Sequence, residues 1–182
     1  MMLPFEKGDI RLTSVYGWRI VNGQRDFHRG LDLVGSGNVI AAAAGRVAVS
    51  TMITDRANPT WQWGNYVRVD DDAGRRFYYC HLKSRFVKAG QEIRAGDHIG
   101  QIGNTGYSFG AHLHFEVRDP AGNSLNAAEI LGVDNAVGTI IQPDFRAEVI
   151  ERCGFGADFA RYLDKYRYAD AVWRKIYNNL QK

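Results

Sequence analysis

The chain has 182 residues and a net charge of +3, and 45% of its residues are hydrophobic. This length and composition predict one globular domain, or one domain with a modest appendage, and exclude a disordered chain. The positive charge is too small to indicate a nucleic-acid-binding protein, although it would favour contact with an anionic surface. We therefore expect no nucleic acid among the partners.

Glycine is frequent, with 20 residues, and proline is scarce, with 4, which is typical of a β fold with many tight turns. Cys80 and Cys153 form no C-x-x-C pair, so we expect two free, buried thiols. No apolar run is long enough for a membrane helix. The first residues, Met1 to Lys7, lack the basic start and apolar core of a signal peptide.

The first stretch that carries chemistry places His28 and Asp32 on either side of Gly30. On a straight strand their Cα atoms would be about 13 Å apart, too far to share a ligand. Gly30 and the glycines that follow disfavour a helix. A turn or bulge at Gly30 would bring both side chains to one point. Taken alone, an exposed histidine beside an unrelated aspartate would be the better explanation of the pattern.

A hairpin is predicted further along the chain, with strands at 64–69 and 75–82 and a turn at Asp71-Asp72-Ala73-Gly74. The stretch Thr51–Trp63 before it is predicted to be an inserted loop. Strand alternation places His81 at the end of the return strand, on the same face as Phe77 and Tyr79. A packed core histidine is the alternative for His81. His98, beside Asp97, is predicted to be a solvated turn residue.

The stretch from Gly110 to Val117 is the centre of the pattern. Strand alternation places His112, His114 and Glu116 on one face and gives the other face a core-directed apolar stripe, Leu113, Phe115 and Val117. Histidines two apart on a strand have Cα atoms roughly 6.6 Å apart, close enough to address one site together. Two exposed histidines on a half-buried strand are the alternative.

After about Val137 the pattern changes to helical periodicity, with apolar faces that begin near Pro143 and recur to the end of the chain. We therefore predict two parts, a β domain at residues 1–138 and a helical tail at residues 139–182. So small a tail is marginal by itself, so we expect it to pack on the β domain or on a partner.

These residues together indicate a zinc hydrolase. A catalytic zinc ion typically takes three ligands from histidine and acidic side chains and keeps a fourth position for water. His28, Asp32 and one of His112 or His114 would supply this set. The remaining histidines could accept the proton of the water and stabilise the developing charge.

The sequence resembles the lysostaphin/LytM-type zinc endopeptidases. His28 to Asp32 matches the H-x-G-x-D box of that family, and His112 to His114 matches its H-x-H box. Three further matches occur in the family's order between Ser14 and Val117: Gly17-Trp18-Arg19, Tyr79-Cys80-His81-Leu82 and Asn104-Thr105-Gly106-Tyr107-Ser108. The combination is far more specific than any one motif.

The resemblance implies that His28, Asp32 and His114 hold Zn2+, and that His81 and His112 are the catalytic pair. It also implies a mainly β fold, an antiparallel sandwich-like peptidase domain at 1–138, to which the predicted tail adds a short C-terminal helical appendage. The implied activity is cleavage of peptide bonds in peptidoglycan stems or cross-bridges. We expect a monomer that acts at the bacterial cell wall, outside the cytoplasm or delivered by a phage.

Two other functions would explain parts of the sequence. A latent or catalytically silent module of the same family, with a regulatory or wall-binding role, would usually lack a ligand, and none is missing here. A lipoyl- or biotinyl-type carrier domain would share the glycine-spaced turns at Ala89-Gly90 and Ala95-Gly96. Such a carrier needs a presented lysine and has no use for the two histidine boxes.

Overall fold

The structure, a computed structural model, describes residues 1–141 together with 153–154, 172–173, 176 and 179–180. The chain divides into two compact units, Met1–Gln142 and Pro143–Lys182. The sequence predicts a helical tail at 139–182. From residue 142 onward this tail lies outside the described residues, except for the few positions named above. All elements named below belong to the first unit.

The first unit is built mainly of strands, which are joined by turns and by two longer loops at 53–64 and 102–112. The strands are β1 (Phe5–Ser14), β2 (Gly17–Val21), β3 (Gln24–His28), β4 (Leu31–Ile40), β5 (Gly45–Met52), β6 (Asn65–Asp70), β7 (Arg76–Cys80), β8 (Ser84–Arg85), β9 (Glu92–Ile93), β10 (His98–Gln101), β11 (Leu113–Arg118), β12 (Ser124–Leu125) and β13 (Ile140–Ile141). The helical elements are a 3-10 helix, Trp61–Trp63, and α1, Ala127–Leu131.

Eleven strands form one antiparallel sheet, in which eight follow the order β13-β1-β4-β11-β7-β6-β5-β9. Of the other three, β10 pairs with β4 and with β8, and β12 pairs with β11. Strands β2 and β3 form a separate hairpin. The predicted mainly β, antiparallel class is therefore confirmed. Because β13 pairs with β1, the sheet continues past residue 138. The division into a peptidase domain and a tail stays a prediction.

The central strand β11 follows the predicted alternation. Leu113, Phe115 and Val117 are fully buried in the main core, beside residues of β4 and β7. His114 and Glu116 lie on the opposite face. The apolar stripe therefore anchors the strand, and its polar face is free to build a site.

The predicted face of His81 is wrong. His81 has a φ of 63°, in the left-handed region, and this breaks the alternation at the end of β7. Leu82 consequently joins the main core with Phe77 and Tyr79, although strict alternation would place it on the other face. The ring of His81 instead lies 4.7 Å from that of His112, measured between centroids.

The two cysteines are free thiols, as predicted, but only Cys80 is buried; Cys153 is partly exposed. In the described part of the chain, no helix is long and apolar enough to cross a membrane.

Candidate metal centre and active site

Three strands and one turn position the candidate ligands. His28 ends β3, Asp32 is the second residue of β4, and the sheet register places His114 of β11 directly opposite Asp32. The turn between His28 and Leu31 contains Gly30. This is the turn that the sequence predicted.

Gly30 is needed because the turn passes close to β11. A Cβ atom on Gly30 would lie 2.6 Å from the carbonyl oxygen of Phe115 and 2.9 Å from Cε1 of His114. Real Cβ atoms do not approach so closely, so a larger residue would have to displace His114 or the strand backbone. The glycine of this turn therefore permits the approach of the two histidines.

Three donor atoms meet at one point. Nε2 of His28 lies 3.0 Å from Nδ1 of His114, and Oδ1 of Asp32 lies 3.0 Å from Nδ1 of His114 and 3.2 Å from Nε2 of His28. Zinc bonds of about 2.0–2.1 Å in a tetrahedron would separate such donors by roughly 3.3 Å. The residues present therefore fit a zinc ion, and the structure brings His114 rather than His112 into the set.

Neighbouring groups hold each ligand in the orientation that metal binding requires. Nδ1–H of His28 donates to the carbonyl of Val15 at 2.7 Å, which leaves the lone pair on Nε2. Nη1 of Arg19 donates to Oδ2 of Asp32 at 3.5 Å, on the side away from the histidines. Nε2–H of His114 faces Oε2 of Glu116 at 3.6 Å.

Glu116 and Arg118 complete this arrangement, and the sequence predicted no role for either. Glu116 is only 1% exposed, and Nε of Arg118 donates to its Oε1 at 2.6 Å. The guanidinium of Arg118 in turn lies over the rings of Trp63 and Tyr78. A carboxylate behind a metal-binding histidine fixes its tautomer and raises its basicity. The placement of Glu116 two residues after His114, on the same strand face, could have indicated this role.

His81 and His112 lie beside the three donors without belonging to them. Nδ1–H of His81 donates to the carbonyl of Thr105 at 2.8 Å, and Nδ1–H of His112 donates to the carbonyl of Gly110 at 2.8 Å. Each ring therefore keeps its lone pair on Nε2. Nε2 of His112 lies 3.5 Å from Oδ1 of Asp32, so this atom faces the metal centre.

The titratable groups influence each other strongly in the metal-free protein. Burial and the neighbouring His114 and His112 lower the pKa of His81 to about 4. Burial alone would raise the pKa of Asp32, but the three histidines around its carboxylate outweigh this effect and hold that pKa far below its usual range. Burial also opposes the charge on His114, but Asp32 and Glu116 raise its pKa to about 9. Zinc would therefore have to displace a proton from His114.

The metal centre lies in a cleft of about 630 Å³. The β2–β3 hairpin lines one side, and residues 62–63 and 107–110 line the other. The second side carries an aromatic rim: the ring of Tyr107 packs edge-on against Trp61 and Phe109, with centroids 6.0 and 5.2 Å away. Phe109 is 81% exposed. His98, by contrast, is exposed, as predicted, and faces Glu6 at 3.6 Å, but it begins strand β10 rather than lying in a turn.

Two loops are pressed together behind the aromatic rim. The backbone N–H of Tyr107 donates to the carbonyl of Gln62 at 2.9 Å. A Cβ atom on Gly64 would collide with the backbone nitrogen of Gly106, and one on Gly106 would collide with the carbonyl of Gln62. Oγ1 of Thr105 accepts the backbone N–H of Asn65 at 3.0 Å. The end of the predicted Thr51–Trp63 loop, at residues 62–63, and the 104–110 loop therefore form one wall of the cleft.

Comparison with known proteins gives consistent results. Residues 26–127 match the model of Peptidase family M23. The peptidoglycan DD-endopeptidase ShyC of Vibrio cholerae is 36% identical over 96 residues, which are 53% of this chain and 21% of that protein. This chain spans between 12% and 30% of the length of the curated relatives it matches.

Two solved structures illustrate the likeness in fold. The catalytic domain of the antimicrobial peptidase lysostaphin from Staphylococcus simulans is 25% identical with a TM-score of 0.54, and the match covers 69% of this chain and 92% of that one. A zinc-containing peptidase from Vibrio cholerae is 26% identical with a TM-score of 0.58, over 73% of this chain and 39% of that one.

Proposed function

Because the chain belongs to peptidase family M23, we propose that it is a zinc-dependent endopeptidase that hydrolyses peptide bonds of bacterial peptidoglycan. The peptidases of this family are zinc-dependent, and His28, Asp32 and His114 form a possible metal site. The observation that carries the proposal is the meeting of these three donor atoms beside two further histidines in one cleft.

His28, Asp32 and His114 would hold the zinc ion through Nε2, Oδ1 and Nδ1. A zinc ion in this position would polarise the carbonyl of the scissile bond and lower the pKa of a bound water. The chain's own contribution here is to keep the three donor atoms oriented before the metal arrives. Arg19 and Glu116 do this for Asp32 and His114.

His81 and His112 would act as the proton-transfer pair. Both present Nε2 as the free ring nitrogen, because each Nδ1–H donates to a backbone carbonyl. His81 is neutral at pH 7, since its pKa is about 4, so it can accept a proton. One of the two rings would accept the proton of the attacking water at Nε2. The N–H formed there could then stabilise the developing oxyanion and protonate the leaving amine.

The proposal also includes a substrate, a location and an oligomeric state. ShyC is named as a peptidoglycan DD-endopeptidase, which supports a peptidoglycan peptide as the substrate. The protein would then act at the bacterial cell wall as a monomer, reaching it outside the cytoplasm or with a phage particle. A catalytically silent module is disfavoured because all five predicted metal-binding and catalytic residues are present.

Mass spectrometry of muropeptides tests the proposal. The zinc-loaded protein is incubated with purified peptidoglycan from several wall types, beside a D32A variant that should bind no zinc. New fragments with free amino ends, absent with D32A, are expected, and their masses name the bond. Intact muropeptides from every wall type, with one zinc per chain confirmed, would refute an endopeptidase and favour the silent regulatory module.

A further inference from the structure

The charged side chains that line the cleft are unequal in number, with four arginines facing three acids. Each acid already has a cationic or histidine partner. Asp26 accepts from Nε of Arg19 at 2.9 Å, and Glu116 accepts from Arg118 at 2.6 Å. Asp32 is surrounded by three histidines and also lies 3.5 Å from Arg19. No acid of the cleft is left to attract a cationic ligand.

Two arginines of the cleft, Arg25 and Arg29, are both exposed, and neither lies within ion-pair distance of an acid among residues 1–141. Cζ of Arg25 lies 4.3 Å from the centroid of the Trp18 ring, so the aromatic face restrains this guanidinium at the mouth of the cleft. Arg29 directly follows the candidate ligand His28 in the turn to Gly30. Within residues 1–141, therefore, one arginine without an acidic partner lies on the β2–β3 hairpin, and the other adjoins the metal centre in sequence.

We propose that Arg25 and Arg29 make the cleft selective for peptides that carry a free carboxylate near the scissile bond. This inference rests on the proposed function and narrows its substrate class to an acidic stem peptide rather than an uncharged glycine bridge. A guanidinium offers a planar pair of N–H groups that matches a carboxylate, and a glycine bridge between two stems carries no carboxylate. A bound zinc ion would add further positive charge to the same cleft.

Matched synthetic peptides test the selectivity. One stem-type peptide carries free side-chain and α-carboxylates, and a second has the same sequence with these carboxylates amidated. A third is pentaglycine with an amidated C-terminus, which carries no carboxylate. With the zinc-loaded full chain, we expect kcat/KM for the free acid to exceed that for the other two by at least about tenfold. The preference should shrink as NaCl rises, because screening weakens interactions between exposed charges.

The double variant R25Q/R29Q should bring the ratio between the acid and the amidated peptide close to one. R56Q is the matched control: Arg56 is also an exposed arginine above a tryptophan, with Cζ 5.5 Å from the centroid of Trp61, but it does not line the cleft. R56Q should therefore keep the full preference. A ratio that R25Q/R29Q leaves unchanged would overturn the inference.

The experiment distinguishes failure of the proposed carboxylate selectivity from failure of the proposed endopeptidase activity. Equal cleavage of the acid and the amide, or faster cleavage of pentaglycine, overturns the selectivity and leaves the endopeptidase intact. If no peptide is cleaved, calorimetric titration of the same peptides into the zinc-loaded protein decides the inference. At least tenfold tighter binding of the free acid, lost in R25Q/R29Q, would support it, and equal binding would overturn it.

Discussion

Replacement of Glu116 by glutamine tests how the protein supports its candidate metal ligand. The change keeps the shape of a side chain that is 1% exposed and removes its charge. Loss of a carboxylate behind a metal-binding histidine typically weakens metal binding by about 10–100-fold, or about 1.4–2.7 kcal/mol. We expect a loss of this size for zinc, because Nε2–H of His114 faces Oε2 of Glu116 at 3.6 Å.

The same substitution also breaks the ion pair with Arg118. Breaking a buried pair costs about 3–5 kcal/mol, but Arg118 is 24% exposed, so we expect roughly 1–3 kcal/mol of lost stability. The double variant E116Q/R118M removes both charges and separates the two effects. Its thermal stability should recover, while its zinc affinity should stay low because His114 still lacks the carboxylate.

Zinc affinity is measured by competition with a chromophoric chelator, and stability by thermal melts of the metal-free protein. D70N is the control: Nη2 of Arg68 donates to Oδ2 of Asp70 at 3.1 Å, with the same two-residue spacing on β6, away from the histidines. D70N should leave zinc affinity unchanged. Recovery of zinc affinity together with stability in E116Q/R118M would refute the reasoning, as would an affinity of E116Q within threefold of the parent.

Three further predictions concern the same centre. H81A and H112A should each lower kcat by about 10²–10⁴-fold and still bind one zinc per chain, measured by peptide cleavage and metal analysis; near-native rates would contradict the assignment. G30A should weaken zinc binding because its Cβ would meet His114, whereas G110A, with nothing within 4 Å of its Cβ, should not; equal affinities would count against the turn geometry. Because the pKa of metal-free His114 is about 9, zinc must displace a proton below that pH, so the apparent affinity should fall about tenfold per unit from pH 9 to pH 7. A flat affinity in titrations across this range would contradict it.

Local sequence rules explain much of the fold and the site. The apolar stripe of β11 and the turn at Gly30 follow from strand alternation and from the conformational needs of a tight turn. What these rules left open was the choice between His112 and His114. That choice depends on the register between β4 and β11, which sets His114 opposite Asp32 across 82 residues of sequence.

The remaining features depend on contacts that no local pattern contains. The left-handed backbone of His81 breaks a strand alternation that the sequence itself favours, and hydrogen bonds from other segments hold it. Its N–H donates to the carbonyl of Trp63 at 3.0 Å, and its ring donates to Thr105. The pairing of Glu116 with Arg118 was visible as spacing, but its relation to His114 required the three-dimensional structure.

The wall that residues 62–64 and 104–110 form together connects the position of a bound peptide to His81, the candidate base. Gly64 and Gly106 leave no gap between the two loops, and the carbonyl of Thr105 holds the ring of His81. Contact of a peptide with Tyr107 would therefore act on the 104–110 loop, whose Thr105 carbonyl orients the ring of His81. We therefore expect that replacement of either loop alone would misfit the other loop and shift the ring of His81.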